Sequence, residues 1–182
     1  MNWVRQGRLQ LPEEEIEAQM FDETIEAMEK KGRHQYEVSN FALTGKESQH
    51  NLAYWNNDHY YGFGAGASGY LGQTRYKNHG PIQHYLKPLR ENQLPIVETE
   101  ELTRLNQIEE ELFLGLRKKV GISKQKFQQK FHEPIEAIYG EVIQRLIKEE
   151  LLIEEADILR LTKKGLFVGN NVFEAFLLSE KE

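Results

Sequence analysis

The 182-residue chain has a formal charge of −6 and no cysteine, which excludes a disulfide framework, a thiolate-bound zinc and an iron–sulfur cluster held by this chain alone. Its acidity argues against non-specific binding to nucleic acid or anionic lipid, since both need a cationic surface. No apolar run is long enough to cross a bilayer, and the opening MNWVRQGRLQLPEEE lacks the basic leader and apolar stretch of an export signal, so a cytoplasmic protein is expected.

Pro12 followed by three glutamates opens a helix well, because proline loses nothing at the first position and the carboxylates face the positive end of the dipole. Ile16, Met20, Ile25 and Met28 recur at helical spacing, and Lys30-Lys31-Gly32 closes the segment. In HQYEVSNFA (34–42), Tyr36 and Val38 alternate with polar residues before a turn-like Ser39-Asn40, which predicts a short strand running into a loop. Residues 56–75 are too dense in glycine for a long helix and predict strand and loop. A short helical piece follows at 82–89. Pro95 marks a change in character and a predicted boundary between domains 1–95 and 96–182.

From Thr99, Leu102, Leu105, Ile108, Leu112 and Leu116 form one helical stripe that ends at Lys118-Lys119 and Gly121. Ser123 can cap a second helix carrying Phe127 and Phe131, with Ile122 placed to staple onto Phe127. Pro134 starts a third, bearing Ile135, Ile138, Val142 and Leu146. LLIEEADILRL (151–161) reads as two strands around an acidic turn, and Thr162 begins a last helix with Leu166, Phe173, Phe176 and Leu177. That order is the order of a winged helix-turn-helix.

Residues 64–69 satisfy the letter of the G-x-G-x-x-G dinucleotide fingerprint, but the helix that must begin inside those glycines is absent, because a strand-like Thr-Arg-Tyr segment and Gly80-Pro81 follow. DNA binding is disfavoured in the same way. Glu136, Glu141 and Glu149 outnumber Arg145 and Lys148 on the helix that would enter the groove, and Glu154, Glu155 and Asp157 lie where a wing would meet phosphate. ESQHNLAYW (47–55) sets His50 beside Tyr54 and Trp55. A lone histidine is more often a surface or core residue than a metal ligand, but haem iron needs only one axial imidazole, with Arg33 or Arg75 available to pair a propionate.

Taken together, YEVSNFA, ESQHNLAYW, YYGFGAGASGYL, RYKN and LRLTKKGL resemble the C-terminal half of the oxygen-independent coproporphyrinogen III oxidase-like radical SAM family. The arrangement His50-Asn51-x-x-Tyr54-Trp55 resembles the haem-chaperone branch, in which this motif is taken as the haem-binding element. The resemblance implies an α/β protein (α+β as a fragment), with the C-terminal part of an open βα barrel followed by a small winged-helix-like helical domain. It makes His50, Asn51, Tyr54 and Trp55 haem-binding candidates, with His50 on the iron. Asn40, Phe41, Ala42, Gly64 and Gly66 become candidates for the pocket of S-adenosylmethionine or a porphyrin. The resemblance also implies a [4Fe-4S] cluster and S-adenosylmethionine in a full-length parent, whose cluster cysteines this chain lacks, so the chain is expected to be an inactive fragment alone. The implied partners are haem, a haem-acceptor protein and the missing N-terminal half of the barrel, without nucleic acid or a transmembrane segment. Two alternatives stand beside haem delivery: oxidative decarboxylation of coproporphyrinogen III to protoporphyrinogen IX, and a winged-helix protein-interaction module. One departure is Ser68-Gly69, where many relatives place a His-Ser pair.

Overall fold

The computed structural model describes residues 2–8 and 10–177, and the chain divides into two compact units, 1–47 and 48–182. The first unit holds α1 (Asn2–Arg5), α2 (Glu14–Glu29), β1 (His34–Gln35) and β2 (Phe41–Ala42). The predicted helix after Pro12 is present, but its inner face is Ala18, Phe21, Ile25 and Met28, while Ile16 and Met20 are exposed. Residues 18, 21, 25 and 28 keep the three-and-four spacing of one helical stripe, and Ile16 and Met20 fall off it. The strand expected at Tyr36 and Val38 is instead the turn between two strands of two residues, paired His34 with Ala42 and Gln35 with Phe41. Glu37 explains the shift. Its buried carboxylate accepts from the Ser39 amide at 3.1 Å and from Asn40 Nδ2 at 2.5 Å, drawing the backbone into a turn where alternation alone reads as a strand.

The second unit begins with α3 (Gln49–Trp55), followed by β3 (Ser68–Leu71), β4 (Thr74–Asn78), α4 (Ile82–Arg90) and β5 (Ile96–Glu101). The three strands form one antiparallel sheet in the order β3-β4-β5. The helix predicted from Thr99 is overturned at its start. Ile96-Val97 and Thr99 favour a pleated strand, and Thr99 lies opposite Tyr76 of β4. The helix begins only at Arg104, where Thr103 Oγ1 accepts from the Asn106 amide and Asn106 Oδ1 accepts from the Thr103 amide. Pro95 therefore lies inside the second unit, and residues 96–101 belong to the sheet before it.

The remainder is α5 (Arg104–Gly115), β6 (Ile122–Ser123), α6 (Lys124–Phe131), α7 (Ile135–Lys148), β7 (Leu152–Glu155), β8 (Ile158–Leu161), α8 (Lys163–Phe167) and α9 (Gly169–Glu174). A small antiparallel sheet of order β6-β8-β7 closes one side. Leu112, Phe127, Ile135, Tyr139, Leu159 and Val172 are sealed in a shared core. Each such large apolar side chain contributes about 1.5–3 kcal/mol on leaving water. Ile122, in β6, precedes the Ser123 cap of α6 and is buried in the same core as Phe127, while the last predicted helix is broken into α8 and α9 at Val168. Helix α5 stops at Gly115, before the predicted Lys118-Lys119.

The acidic hairpin is used internally. Lys124 pairs with Glu154 and Glu136, Arg160 with Glu155, and Ser123 donates to Asp157. Every strand pairing among the described residues is antiparallel. No helix among them is long and apolar enough to cross a membrane.

Candidate functional site

Sequence reading assigned no element to ESQHNLAYW, and the structure makes it a short helix. Ser48 caps α3 by accepting from the Asn51 amide at 3.3 Å, and Asn56 ends it by donating to the Leu52 carbonyl. Four residues apart, His50 and Tyr54 share one face, with ring centroids 4.8 Å apart and planes at 85°. Tyr54 in turn meets Tyr60 edge to face at 4.6 Å. Tyr60 and Tyr70 exchange both backbone hydrogen bonds at 2.9 Å, which ties this aromatic row to β3, and His59 meets the Tyr70 ring at 5.2 Å. His50, at the outer end, is exposed.

Trp55 leaves the helix on another side. It is half-buried, the Arg117 guanidinium lies 5.3 Å from its ring centroid, and its buried indole Nε1 has no partner among the described residues. Asn51 is half-buried at the first turn.

Arg75 does not fit a propionate-binding role. Its Nε and Nη2 donate to both Glu110 oxygens at 3.1 and 2.7 Å, and its guanidinium lies 4.8 Å from the Tyr70 ring centroid. Burial works against the Arg75 charge, yet the Glu110 bonds hold its pKa above the ordinary value. Burial, reinforced by Glu110, also pushes the Tyr70 phenol up. Arg33 is exposed in the first unit.

The glycine loop is pinned from inside. Gly64 and Gly66 have φ of +103° and +72°, a region costly to residues with a Cβ. Buried Asn78 donates through Nδ2 to the carbonyls of Gly62 and Gly64, both at 3.0 Å. The Gly62 amide donates to Tyr76 Oη at 2.9 Å, and the Gly66 amide to the His79 carbonyl at 2.9 Å. A phosphate cradle needs free amides at a helix start. Here the Gly62, Gly66 and Ala67 amides are engaged and the chain continues into β3. Sequence reading gave Asn78 no role, although it closes the RYKN block; its burial against the glycine loop is a tertiary fact that the local sequence does not carry.

Between α4 and the face of β4 that carries Thr74, Tyr76 and Asn78 runs a largely apolar groove of about 570 Å³. Tyr61 and Phe63 line its mouth with rings stacked at 5.8 Å and 26°. In the first unit, Asn40 is fixed on Glu37, Phe41 is half-buried and Ala42 is buried in β2. Sequence-predicted site residues thus fall in both units, and those of the second are joined by the hairpin that begins at β3.

Comparison with known proteins shows what the chain is similar to. The HemN C-terminal domain family matches residues 102–168. Over 180 residues, 99% of its length, the chain is 49% identical to "Heme chaperone HemW" of Lactococcus lactis subsp. lactis, covering 47% of that protein. It is 46% identical to "Heme chaperone HemW" of Bacillus subtilis over 97% of this chain and 46% of that one. A solved structure titled "Coproporphyrinogen III oxidase (HemN) from Escherichia coli is a Radical SAM enzyme" superposes with a TM-score of 0.70 at 17% identity, covering 96% of this chain and 44% of that one. At that identity the likeness speaks for the fold: a mixed α/β arrangement matching part of the HemN fold. The chain spans about half the length of the curated relatives it matches. The resemblance to HemN and HemW read from the sequence is borne out.

Proposed function

We propose that this chain is part of a cytoplasmic haem chaperone of the HemW kind, in which α3 presents His50 to haem iron for delivery to an acceptor protein. The observation that carries this reading is an exposed imidazole at the end of an aromatic row, on a helix within a sequence nearly half identical to proteins named haem chaperones. One imidazole is enough for axial ligation, and flat aromatic neighbours suit a macrocycle. No cluster of three or more metal-binding side chains exists among the described residues, so a caged metal has no support here.

The [4Fe-4S] cluster does not fit this chain. It needs cysteine thiolates, and the sequence has none, so neither cluster chemistry nor S-adenosylmethionine chelation is derived from these residues. Asn40, Phe41 and Ala42 in the first unit are proposed as contacts for S-adenosylmethionine or a porphyrin, and so, separately, are Gly64 and Gly66 in the second.

In the same reading, residues up to about 95 derive from an open βα barrel and the rest forms a winged-helix-like domain. The HemN C-terminal domain match from Leu102 and the three-stranded sheet β6-β8-β7 flanked by α5, α6 and α7 support the second part.

Haem titration of the protein in its full natural length tests the proposal. Wild type should give a shifted Soret band, and His50→Ala should lose that shift with at least ~10-fold weaker binding. An unchanged spectrum and affinity would remove His50 from the iron. Coproporphyrinogen III decarboxylation is the second reading, favoured by the HemN fold likeness, and conversion of that porphyrinogen by the full-length protein would place it first.

A further inference from the structure

Helix α3 has seven residues and buries none of them fully. Isolated helices shorter than ~12–15 residues are marginal in water, so the direction in which His50 points depends on what α3 packs against, the Tyr60 contact on its His50 face and the groups that hold its Trp55 end. Two neighbouring side chains in the turn after α5 reach that end. The Arg117 guanidinium lies 5.3 Å from the Trp55 ring centroid, 4.5 Å from that of Phe113 and 4.9 Å from that of Phe173. Three rings from α3, α5 and α9 thus converge on one planar cation. Lys118 Nζ donates to Asn56 Oδ1, at the cap of α3, at 2.7 Å.

Resting on the haem reading above, we propose that Arg117, seconded by Lys118, is a positioning residue that anchors α3 through Trp55 and so fixes the geometry of His50. Cation–π contacts add ~0.5–1 kcal/mol when exposed and ~2 or more when desolvated, and a guanidinium stacks on rings in a way an ammonium cannot. Phe173 is buried in the core of the helical domain, so the anchor joins α3 to that core rather than to a loose turn. The coupling runs over a contiguous path: core, Phe173, Arg117, Trp55, one turn of helix, His50.

The test uses the full-length protein with Trp3→Phe, which leaves Trp55 as the tryptophan of this chain. Any tryptophan outside this chain is replaced as well. Arg117→Met should red-shift Trp55 emission in the absence of haem and weaken haem binding about 10-fold, while the Soret position of the saturated complex stays that of wild type. Arg117→Lys should restore part of both losses, and Lys118→Met should give a smaller loss of affinity. If Arg117→Met shifts the emission while haem affinity stays at the wild-type value, or if Trp55 emission does not move, the proposal is overturned. Should Arg117→Met not fold, the Arg117→Lys and Lys118→Met titrations carry the same two readouts. His50→Ala in parallel separates the two ideas. If it leaves haem binding unchanged, the haem reading fails, and haem-free Trp55 emission alone then decides whether Arg117 anchors the helix.

Discussion

Glu110 shows how a single carboxylate can decide what a neighbouring arginine is free to do. Both its oxygens are taken by Arg75, which also lies against Tyr70, so Glu110→Gln should destabilise the protein by about 1–2 kcal/mol. Charge-assisted bonds are strong, but this pair is only half-buried and part of its energy is lost to solvent screening. Urea denaturation measures that loss, and an unchanged midpoint would show the pair to be ornamental. The same substitution should lower the Tyr70 phenol pKa without returning it to its ordinary value, because burial, the larger cause, remains. Ultraviolet titration against Tyr70→Phe isolates that phenol. None of this was legible in the sequence, where Arg75 reads as a free cation near an aromatic patch. The pairing crosses 35 positions, from strand β4 to helix α5, a tertiary proximity that residue types do not reveal. His50, Tyr54 and Trp55 were singled out by residue type and by the family resemblance, while the short helix that carries them was not expected, because seven residues give too little periodicity to read. Ser68-Gly69 acquires a physical reason only in three dimensions. A Cβ on Gly69 would overlap the Tyr76 ring, so a larger residue there requires Tyr76 to move.

Within the helical domain, the hairpin β7–β8 and helix α6 depend on each other. Asp157, in the hairpin turn, accepts from Ser123 Oγ at 2.5 Å and from the Gln125 amide at 2.8 Å, so it caps α6 from a distant part of the sequence. Those bonds hold its carboxyl below the ordinary value of 3.8, and the Lys124 bond likewise holds Glu136 below its own of 4.5. Depressed folded-state values mean that this stabilisation is present at neutral pH and is lost as pH falls below about 4 through the folded pKa. Lys124 has the opposite sign, since its raised value contributes below the ordinary pKa and fails at high pH. Asp157→Asn should therefore lower stability at pH 7 and flatten the acid limb of urea midpoint against pH. A limb as steep as that of wild type would mean that other carboxylates carry the acid transition. Element order here was legible, because helical stripes and caps are local signals. The strand at 96–101 was not, since its β-branched residues lie beside a helix-compatible glutamate run and only pairing with β4 decides. The turn at Glu37 failed for a related reason, because a buried carboxylate overrode the alternation around it.

For the molecule as a whole, the groove beside α4 makes a claim about surface rather than chemistry. Phe63 is 85% exposed, Leu94 76% and Tyr61 66%, and they adjoin one another along an apolar channel. Contiguous apolar surface of this kind marks a place where something docks, and a bare chain of 182 residues has only copies of itself to offer. The chain alone should therefore associate as its concentration rises, with the weight-average mass by analytical ultracentrifugation climbing above that of the monomer. Phe63→Lys and Leu94→Lys should each restore monomer, because both side chains are exposed and their replacement leaves the buried Asn78 network untouched. The acidic net charge opposes non-specific aggregation at low salt, so association that strengthens with salt would point to the apolar groove, while association that weakens with salt would point to ion pairs. If the full-length protein is monomeric under conditions where this chain associates, the groove is covered by the part of the fold that the longer relatives carry beyond it. If both associate alike, the groove is a true intermolecular surface, and the lysine variants should then separate the partners in the full-length protein as well.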